Sequence, residues 1–392
     1  MKPQTAKSGS AGTCEISPLA FDFLDLKAQF SSIRDEVLAA ATRVLESQHF
    51  ILGTEVELLE EEIAAKLGAK HAIGCASGTD ALILSLMAAD IRPGDEVITT
   101  PFSFIATAGS IAHIGAKPVF VDIDPNSYNL DPSLIEAAIT EKTRAIIPVH
   151  LFGLPADMAP ISEIARDHRL TVIEDAAQAI GARYDGRCVG TFGDFGCFSF
   201  FPSKNLGGAG DGGLITTNSD ALAERLRMLR VHGSKKKYHH AILGTNSRLD
   251  ALQAAILRVK LGHLDRWTSQ RQNRADRYRT AFEEMHLMPS IIPPQAPTER
   301  FQHVYNQFTI RCDSRDGLKD FLRQSGIPTE IYYPLCFHLQ PAFAYLDHTN
   351  GDFPNAEKAS VELLSVPVYP ELTDEQQDRV IHSIGEFCGE KA

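Results

Sequence analysis

Val172-Ile173-Glu174-Asp175-Ala176-Ala177-Gln178 is an apolar, β-branched run that ends on two carboxylates and passes into small residues. Such a run reads as a buried strand, and an acid at its carboxyl end sits where ligands bind in an open parallel sheet. Outward from it the same texture recurs. Short apolar runs at 71–75, 97–100, 117–122, 144–150, 171–175, 195–200 and 213–217 alternate with segments of helical period between about Lys70 and Asn218. This alternation predicts an α/β fold with a large, mostly parallel seven-stranded sheet covered by helices. The punctuation agrees: Gly94-Asp95 marks a turn before a strand, and Asp131-Pro132 opens a helix over 132–139.

After Asn218 the texture becomes helical, over 219–230, then 247–264 with apolar Leu249, Leu252, Ile256 and Val259, then a charged helix over 266–284. The Pro-rich segment Ile291 to Pro297 reads as a linker. Beyond it the pattern predicts strand 304–311, helix 315–325, strand 329–333 and two further helices, the last opened by a Thr373/Gln376 capping box. The expected organisation is an extension over 1–18, a large domain over 19–265 and a smaller C-terminal α/β domain over 266–392.

Composition narrows the class. The chain has 392 residues, of which 44% are hydrophobic and 22% charged, as in ordinary enzyme-sized globular proteins. No apolar run approaches the roughly 18 residues of a membrane span, so no membrane partner is expected. A net charge of −12 argues against coating a nucleic acid. The basic cluster Lys235 to Lys237 is too short to change that and reads as a solvated loop. Seven cysteines without a CxxC pair imply a reduced, cytoplasmic chain. Met1 to Pro18 is polar, lacks the apolar core of a signal peptide and reads as disordered.

Taken alone, Asp175 reads as a helix N-cap. Lys204 shifts that reading, because it follows another apolar strand, in Ser199-Phe200-Phe201-Pro202-Ser203-Lys204-Asn205, and precedes a glycine-rich turn. A lysine leaving a buried strand is desolvated, which lowers its pKa and makes the amine a nucleophile. Lysine and carboxylate together form the pair that pyridoxal 5'-phosphate (PLP) requires, one to hold the aldehyde and one to keep the pyridine nitrogen protonated. Ala76-Ser77-Gly78-Thr79-Asp80, between a strand and an apolar helix, reads as an anion cup or an ordinary cap. Phe104 reads as a ring-stacking aromatic or as core. Gly208-Ala209-Gly210-Asp211-Gly212-Gly213 satisfies GxGxxG but precedes a strand, so it is read as a tight turn behind Lys204 and not as a dinucleotide fingerprint. His232, His239, His240 and His263 lack metal-ligand spacing, and no metal site is expected.

These stretches, with Phe23-Leu24-Asp25-Leu26-Lys27, Pro93-Gly94-Asp95-Glu96-Val97, Lys204-Asn205-Leu206-Gly207 and Asn246-Ser247-Arg248-Leu249-Asp250, resemble the DegT/DnrJ/EryC1/StrS sugar aminotransferases from about Phe23 to Val368. The resemblance implies PLP fold type I, the aspartate-aminotransferase architecture. It implies that Lys204 is the Schiff-base lysine, Asp175 the pyridinium partner and Gln178 the neighbour of the cofactor's phenolic oxygen. Gly78, Thr79 and Ser199 match phosphate contacts, and Phe104 matches the stacking aromatic. Asn246 matches a phosphate contact donated across a homodimer with shared active sites, and Arg248 resembles the carboxylate reader of the amino donor. Tyr332 and Tyr333 fall where family members contact the sugar nucleotide, and the following Leu335-Cys336-Phe337-His338 is less typical. The implied activity is transfer of the amino group of L-glutamate to a UDP- or dTDP-linked keto sugar, carbon 3 favoured over carbon 4, in amino-sugar biosynthesis. The alternatives are a PLP-dependent sugar dehydratase, in which some members carry histidine in place of the lysine, and a PLP-binding regulatory protein without turnover.

Overall fold

The computed structural model describes residues 20–389; the expected extension over 1–18 lies outside them. All seven predicted strands form, each within a few residues of its expected bounds. They are β1 (His71–Cys75), β2 (Glu96–Thr99), β3 (Lys117–Phe120), β4 (Thr143–Ile147), β5 (Thr171–Asp175), β6 (Phe195–Ser199) and β7 (Gly213–Thr217). They make one sheet in the order β1-β7-β6-β5-β4-β2-β3, in which only β7 runs antiparallel to its neighbours. Ile73, Ile98, Ile146, Ile147, Ile173, Leu214 and Ile215 are wholly buried, as expected for a sheet covered on both faces. The register Ile173↔Phe195, Glu174↔Gly196 and Asp175↔Cys197 aligns the carboxyl ends of β5 and β6, the strands that lead to Asp175 and Lys204.

Two helices precede the sheet, α1 (Leu26–Ser47) and α2 (Thr54–Leu67), in a stretch to which the sequence reading assigns no elements. Both are held by tertiary packing. Ile33 and Val37 of α1 meet Ile256 and Trp267, while Leu59 and Ile63 of α2 share a core with Leu214, Leu249 and Leu257. The sheet helices that matter for the site are α3 (Gly78–Ala88) and α4 (Ala106–His113), which follow β1 and β2.

The single helix expected over 247–264 is a correction. The helix begins at Ala251, where Asp250 accepts from the N–H of Gln253 (2.8 Å), ends at Leu261 and gives way to the helix Leu264–Glu284. Asn246 to Leu249 are therefore extended chain. A second core gathers Tyr278 and Phe282 with β8 (Phe308–Arg311), β9 (Leu363–Val366) and the last helix, Asp374–Gly389, through Ile310, Leu364, Val366, Val380 and Ile384. The Thr373/Gln376 capping box forms reciprocally, at 2.9 and 3.2 Å.

Strand 304–311 is shorter than expected because its first half bonds elsewhere: the N–H groups of Val304, Asn306 and Gln307 donate to carbonyls of Gly153 and Phe152. Strand 329–333 is reduced to one bridge, Glu330 to Ser365, and the chain then turns toward the cavity. Among the described residues no helix is long and apolar enough to cross a membrane.

Candidate active site

The carboxyl ends of β1, β2, β4, β5 and β6 open onto one cavity of about 560 Å³, within the ordinary range for small-molecule sites. At the end of β5, Asp175 is 6% exposed. Its Oδ2 accepts from Thr107 Oγ1 at 2.7 Å and its Oδ1 from the N–H of Ala177 at 3.2 Å. Ser103 Oγ meets Thr107 Oγ1 at 2.6 Å, extending the chain of hydroxyls from α4 back to the segment before it. Burial raises the carboxyl pKa above its ordinary value, and these hydrogen bonds only partly oppose it. A cation placed against Asp175 would relieve that cost, because opposite charge favours the ionised form.

Lys204 follows β6 through a turn in which its N–H donates to the carbonyl of Phe201 (2.9 Å). The residue is half-buried, and desolvation of the amine lowers its pKa from 10.5 to about 8, against a smaller opposing pull from Asp175. About a tenth of the amine is therefore neutral and nucleophilic at pH 7, far more than for a free lysine.

Opposite stands the N-terminus of α3. Ser77 caps it by accepting from the N–H of Asp80 (3.0 Å), which leaves Gly78 and Thr79 as the first-turn residues lining the cavity beside Ser199. The fit is tight: a Cβ on Gly78 would stand 2.7 Å from Ser199 Cβ, and one on Gly213 would stand 2.2 Å from the carbonyl oxygen of Ser77. The 208–213 glycines lie where the chain bends, at 209–210, and folds back on Phe200, whose carbonyl accepts from the N–H of Gly208 and whose N–H donates to the carbonyl of Gly212, both at 2.8 Å. None of these glycines has positive φ; a Cβ would crowd the Gln253 side chain at Gly208 and Gly210, and backbone at Gly213.

Phe104 is 56% exposed, too open for core, and lines the cavity. Gln178 lies deeper. Its Oε1 accepts from the N–H of Phe152 (2.7 Å) and its Nε2 donates to Tyr333 Oη (3.1 Å). Tyr332 and Tyr333 also line the cavity, so it gathers nine of the predicted residues: Gly78, Thr79, Phe104, Asp175, Gln178, Ser199, Lys204, Tyr332 and Tyr333. Asn246 and Arg248 do not line it. Asn246 is exposed and bridged to Val231, Arg248 is half-buried, and Ser247 between them accepts from the N–H of Ala76 (3.2 Å).

Sequence reasoning missed several residues. Thr107 and Ser103 hold Asp175, and the buried hydroxyls in an otherwise apolar segment were the available signal. Gln307 reaches the cavity with a buried Oε1 that has no hydrogen-bond partner among the described residues. Behind Asp175, fully buried Glu174 accepts from the N–H groups of Gly190, Phe192 and Gly193, each at 2.7 Å, and pairs with His150 Nε2 at 3.0 Å. Since His150 Nδ1 accepts from the N–H of Ala156 (3.0 Å), the ring proton is on Nε2 and points to Glu174. This network ties the turn before β6 to β5, one residue before Asp175.

Residues 31–385 match the model of the DegT/DnrJ/EryC1/StrS aminotransferase family. The chain is 56% identical to a pleiotropic regulatory protein of Geobacillus stearothermophilus over 93% of this chain and 97% of that one. It is 49% identical to a UDP-N-acetyl-3-dehydro-alpha-D-glucosamine 3-aminotransferase of Acidithiobacillus ferrooxidans, over 92% and 96%. The crystal structure of S. venezuelae DesV, in complex with a ketimine intermediate, superposes with a TM-score of 0.91 at 45% identity, over 95% of this chain and 99% of that one. The expected α/β architecture of fold type I is borne out by that superposition. Sheet order, cavity position and these likenesses converge on one conclusion: the chain belongs to the DegT/DnrJ/EryC1/StrS aminotransferase family.

Proposed function

We propose that this protein is a PLP-dependent transaminase that moves the amino group of L-glutamate onto carbon 3 of a UDP- or dTDP-linked keto sugar, acting as a homodimer. The observation that carries this reading is the lysine amine with its pKa lowered to about 8, sharing a cavity with a buried carboxylate that lacks a cationic hydrogen-bond partner among the described residues.

When bound, PLP supplies an aldehyde that captures amines and a ring that withdraws electrons from the carbon bearing the amine. Lys204 anchors the cofactor and then, once freed, carries a proton at Nζ, taking it from Cα of the amino donor and returning it to the sugar carbon. A pKa near 8 suits both directions. Asp175 holds a proton at the pyridine nitrogen, and Thr107 keeps its carboxylate in place. Gly78, Thr79 and Ser199 bind the phosphate at the α3 N-terminus, where backbone N–H groups favour anions. Phe104 would cover a face of the cofactor ring, and the second N–H of Gln178 would be available to its phenolic oxygen. Tyr332 and Tyr333 bind the sugar nucleotide. Asn246 and Arg248, outside the cavity of their own chain, complete that of the second subunit, Arg248 reading the donor's carboxylate.

Carbon 3 is favoured by the name of the A. ferrooxidans relative. A second reading, a regulatory protein that binds PLP without turnover, is favoured by the name of the G. stearothermophilus relative. One experiment separates them: the holoenzyme is given L-glutamate, then a panel of UDP- and dTDP-linked 3-keto and 4-keto sugars. Conversion of the cofactor absorbance by glutamate, followed by an amino sugar detected by mass spectrometry with a 3-keto substrate, is expected. Bound cofactor that glutamate leaves unchanged would establish the regulatory reading instead.

A further inference from the structure

The amide of Gln178 has only one possible orientation. The N–H of Phe152 lies 2.7 Å from one side of it, and a backbone N–H accepts nothing, so that side is the carbonyl oxygen. The other side is then Nε2, which faces Tyr333 Oη at 3.1 Å and can only donate. Tyr333 therefore accepts from Gln178, and its own proton must point elsewhere. The hydroxyl makes no second hydrogen bond among the described residues. Burial pushes its ionisation well above the ordinary phenol range, so the proton is present throughout the working pH.

The ring is fixed as well. Tyr333 lies edge-on to Phe102 at 6.1 Å and tilted against Phe104 at 6.4 Å, and its hydroxyl borders the cavity that contains Lys204 and Asp175. The hydroxyl is part-buried beside the cavity, so a ligand bound there meets a donor that no group among the described residues uses. Gln178 keeps a second N–H, and the Tyr333 proton is free for a ligand in the cavity that both residues line. The oxygen that needs a donor there is the one on the carbon that reacts, since polarising a carbonyl exposes its carbon to attack by an amine.

We propose that Tyr333 donates a hydrogen bond to the oxygen on the reacting carbon of the sugar substrate, and so recognises the sugar that carries oxygen at that carbon. This rests on the sugar-aminotransferase reading above. The pair Gln178–Tyr333 acts as a unit, in which Gln178 sets the direction of the proton and Tyr333 delivers it to the ligand.

The test compares wild type and Tyr333→Phe as pyridoxamine-phosphate holoenzymes, which differ by one oxygen and keep the ring packing. Binding is measured by calorimetry with UDP-N-acetyl-α-D-glucosamine, which carries a hydroxyl where the keto oxygen would stand, and with its 3-deoxy analogue; dTDP-glucose and its 3-deoxy analogue form a parallel pair. Tyr333→Phe should weaken the hydroxyl ligand about tenfold and leave the deoxy ligand unchanged, the effect of one neutral hydrogen bond. Equal weakening of both ligands, or of neither, overturns the proposal, as does a displaced cofactor band, which would assign the proton to the phenolic oxygen. A wild-type holoenzyme that reacts with glutamate but binds no nucleotide sugar overturns the sugar reading and this inference with it.

Discussion

Thr107 Oγ1 donates a 2.7 Å hydrogen bond to Oδ2 of Asp175 across 68 residues of sequence. The bond favours the carboxylate against the burial that raises its pKa, so the partner of the pyridine nitrogen depends on a hydroxyl from a different strand–helix unit. Thr107→Val keeps the volume and removes the donor. A fall in kcat/KM of about tenfold is expected, in line with hydrogen bonds to charged groups. Asp175→Asn should cost at least about a hundredfold. Single-turnover kinetics with glutamate checks both, and a Thr107→Val enzyme as fast as wild type would remove Thr107 from this role.

In the apoenzyme, burial lowers the pKa of the Lys204 amine from 10.5 to about 8. Below its folded pKa it is protonated and unreactive. The rate at which added PLP bonds to Lys204 should therefore rise tenfold per pH unit up to about 8 and then level off, where a solvated lysine would keep rising to about 10.4. Stopped-flow absorbance follows this, and borohydride reduction with peptide mapping should place the pyridoxyl group on Lys204. Lys204→Ala should show neither signal nor turnover.

Stability has the same sign. Because the Lys204 pKa is lower folded than unfolded, the unfolded chain binds more protons between about 8 and 10.5. This group's contribution to apoenzyme stability thus rises with pH across that window and is most unfavourable below it. Urea denaturation of wild type and Lys204→Met at pH 7.5 should find the variant more stable, its buried amine having been replaced by an apolar chain of similar length.

Glu174 is a buried carboxylate with three backbone donors and one imidazole donor. Glu174→Gln turns one acceptor oxygen into a donor facing N–H groups. A loss of about 3 kcal/mol in urea unfolding is expected, the scale of a broken buried polar network. Since the network spaces β5 from the turn leading into β6, PLP affinity should fall as well.

Shared sites make a complementation test possible. Lys204→Ala chains mixed with Asn246→Ala/Arg248→Ala chains should recover about a quarter of wild-type activity. Random exchange makes half the dimers mixed, and one site in each of those is intact. No recovery, with exchange verified by tagged pull-down, would place Asn246 and Arg248 in a role within one subunit.

The sequence by itself determined the seven strands, because a strand buried on both faces must be built of a short β-branched run and its length is bounded by local turns. It also marked Lys204 and Asp175, since both stand where such runs end. Helix α1 stayed illegible because its buried side is narrow and is specified by partners some 200 residues away, such as Ile256; α2 carries an ordinary helical spacing, Val56, Leu59, Ile63 and Leu67, that the sequence reading passed over. Only the tertiary structure decided what the site residues do to each other. It brought Thr107 to Asp175 and His150 to Glu174, and it left Asn246 and Arg248 outside their own cavity. It also aimed the Tyr333 proton. Periodicity reports that a residue is buried, whereas the direction of a hydrogen bond depends on which donor faces it, and the N–H of Phe152 settles that for Gln178 from 26 residues away.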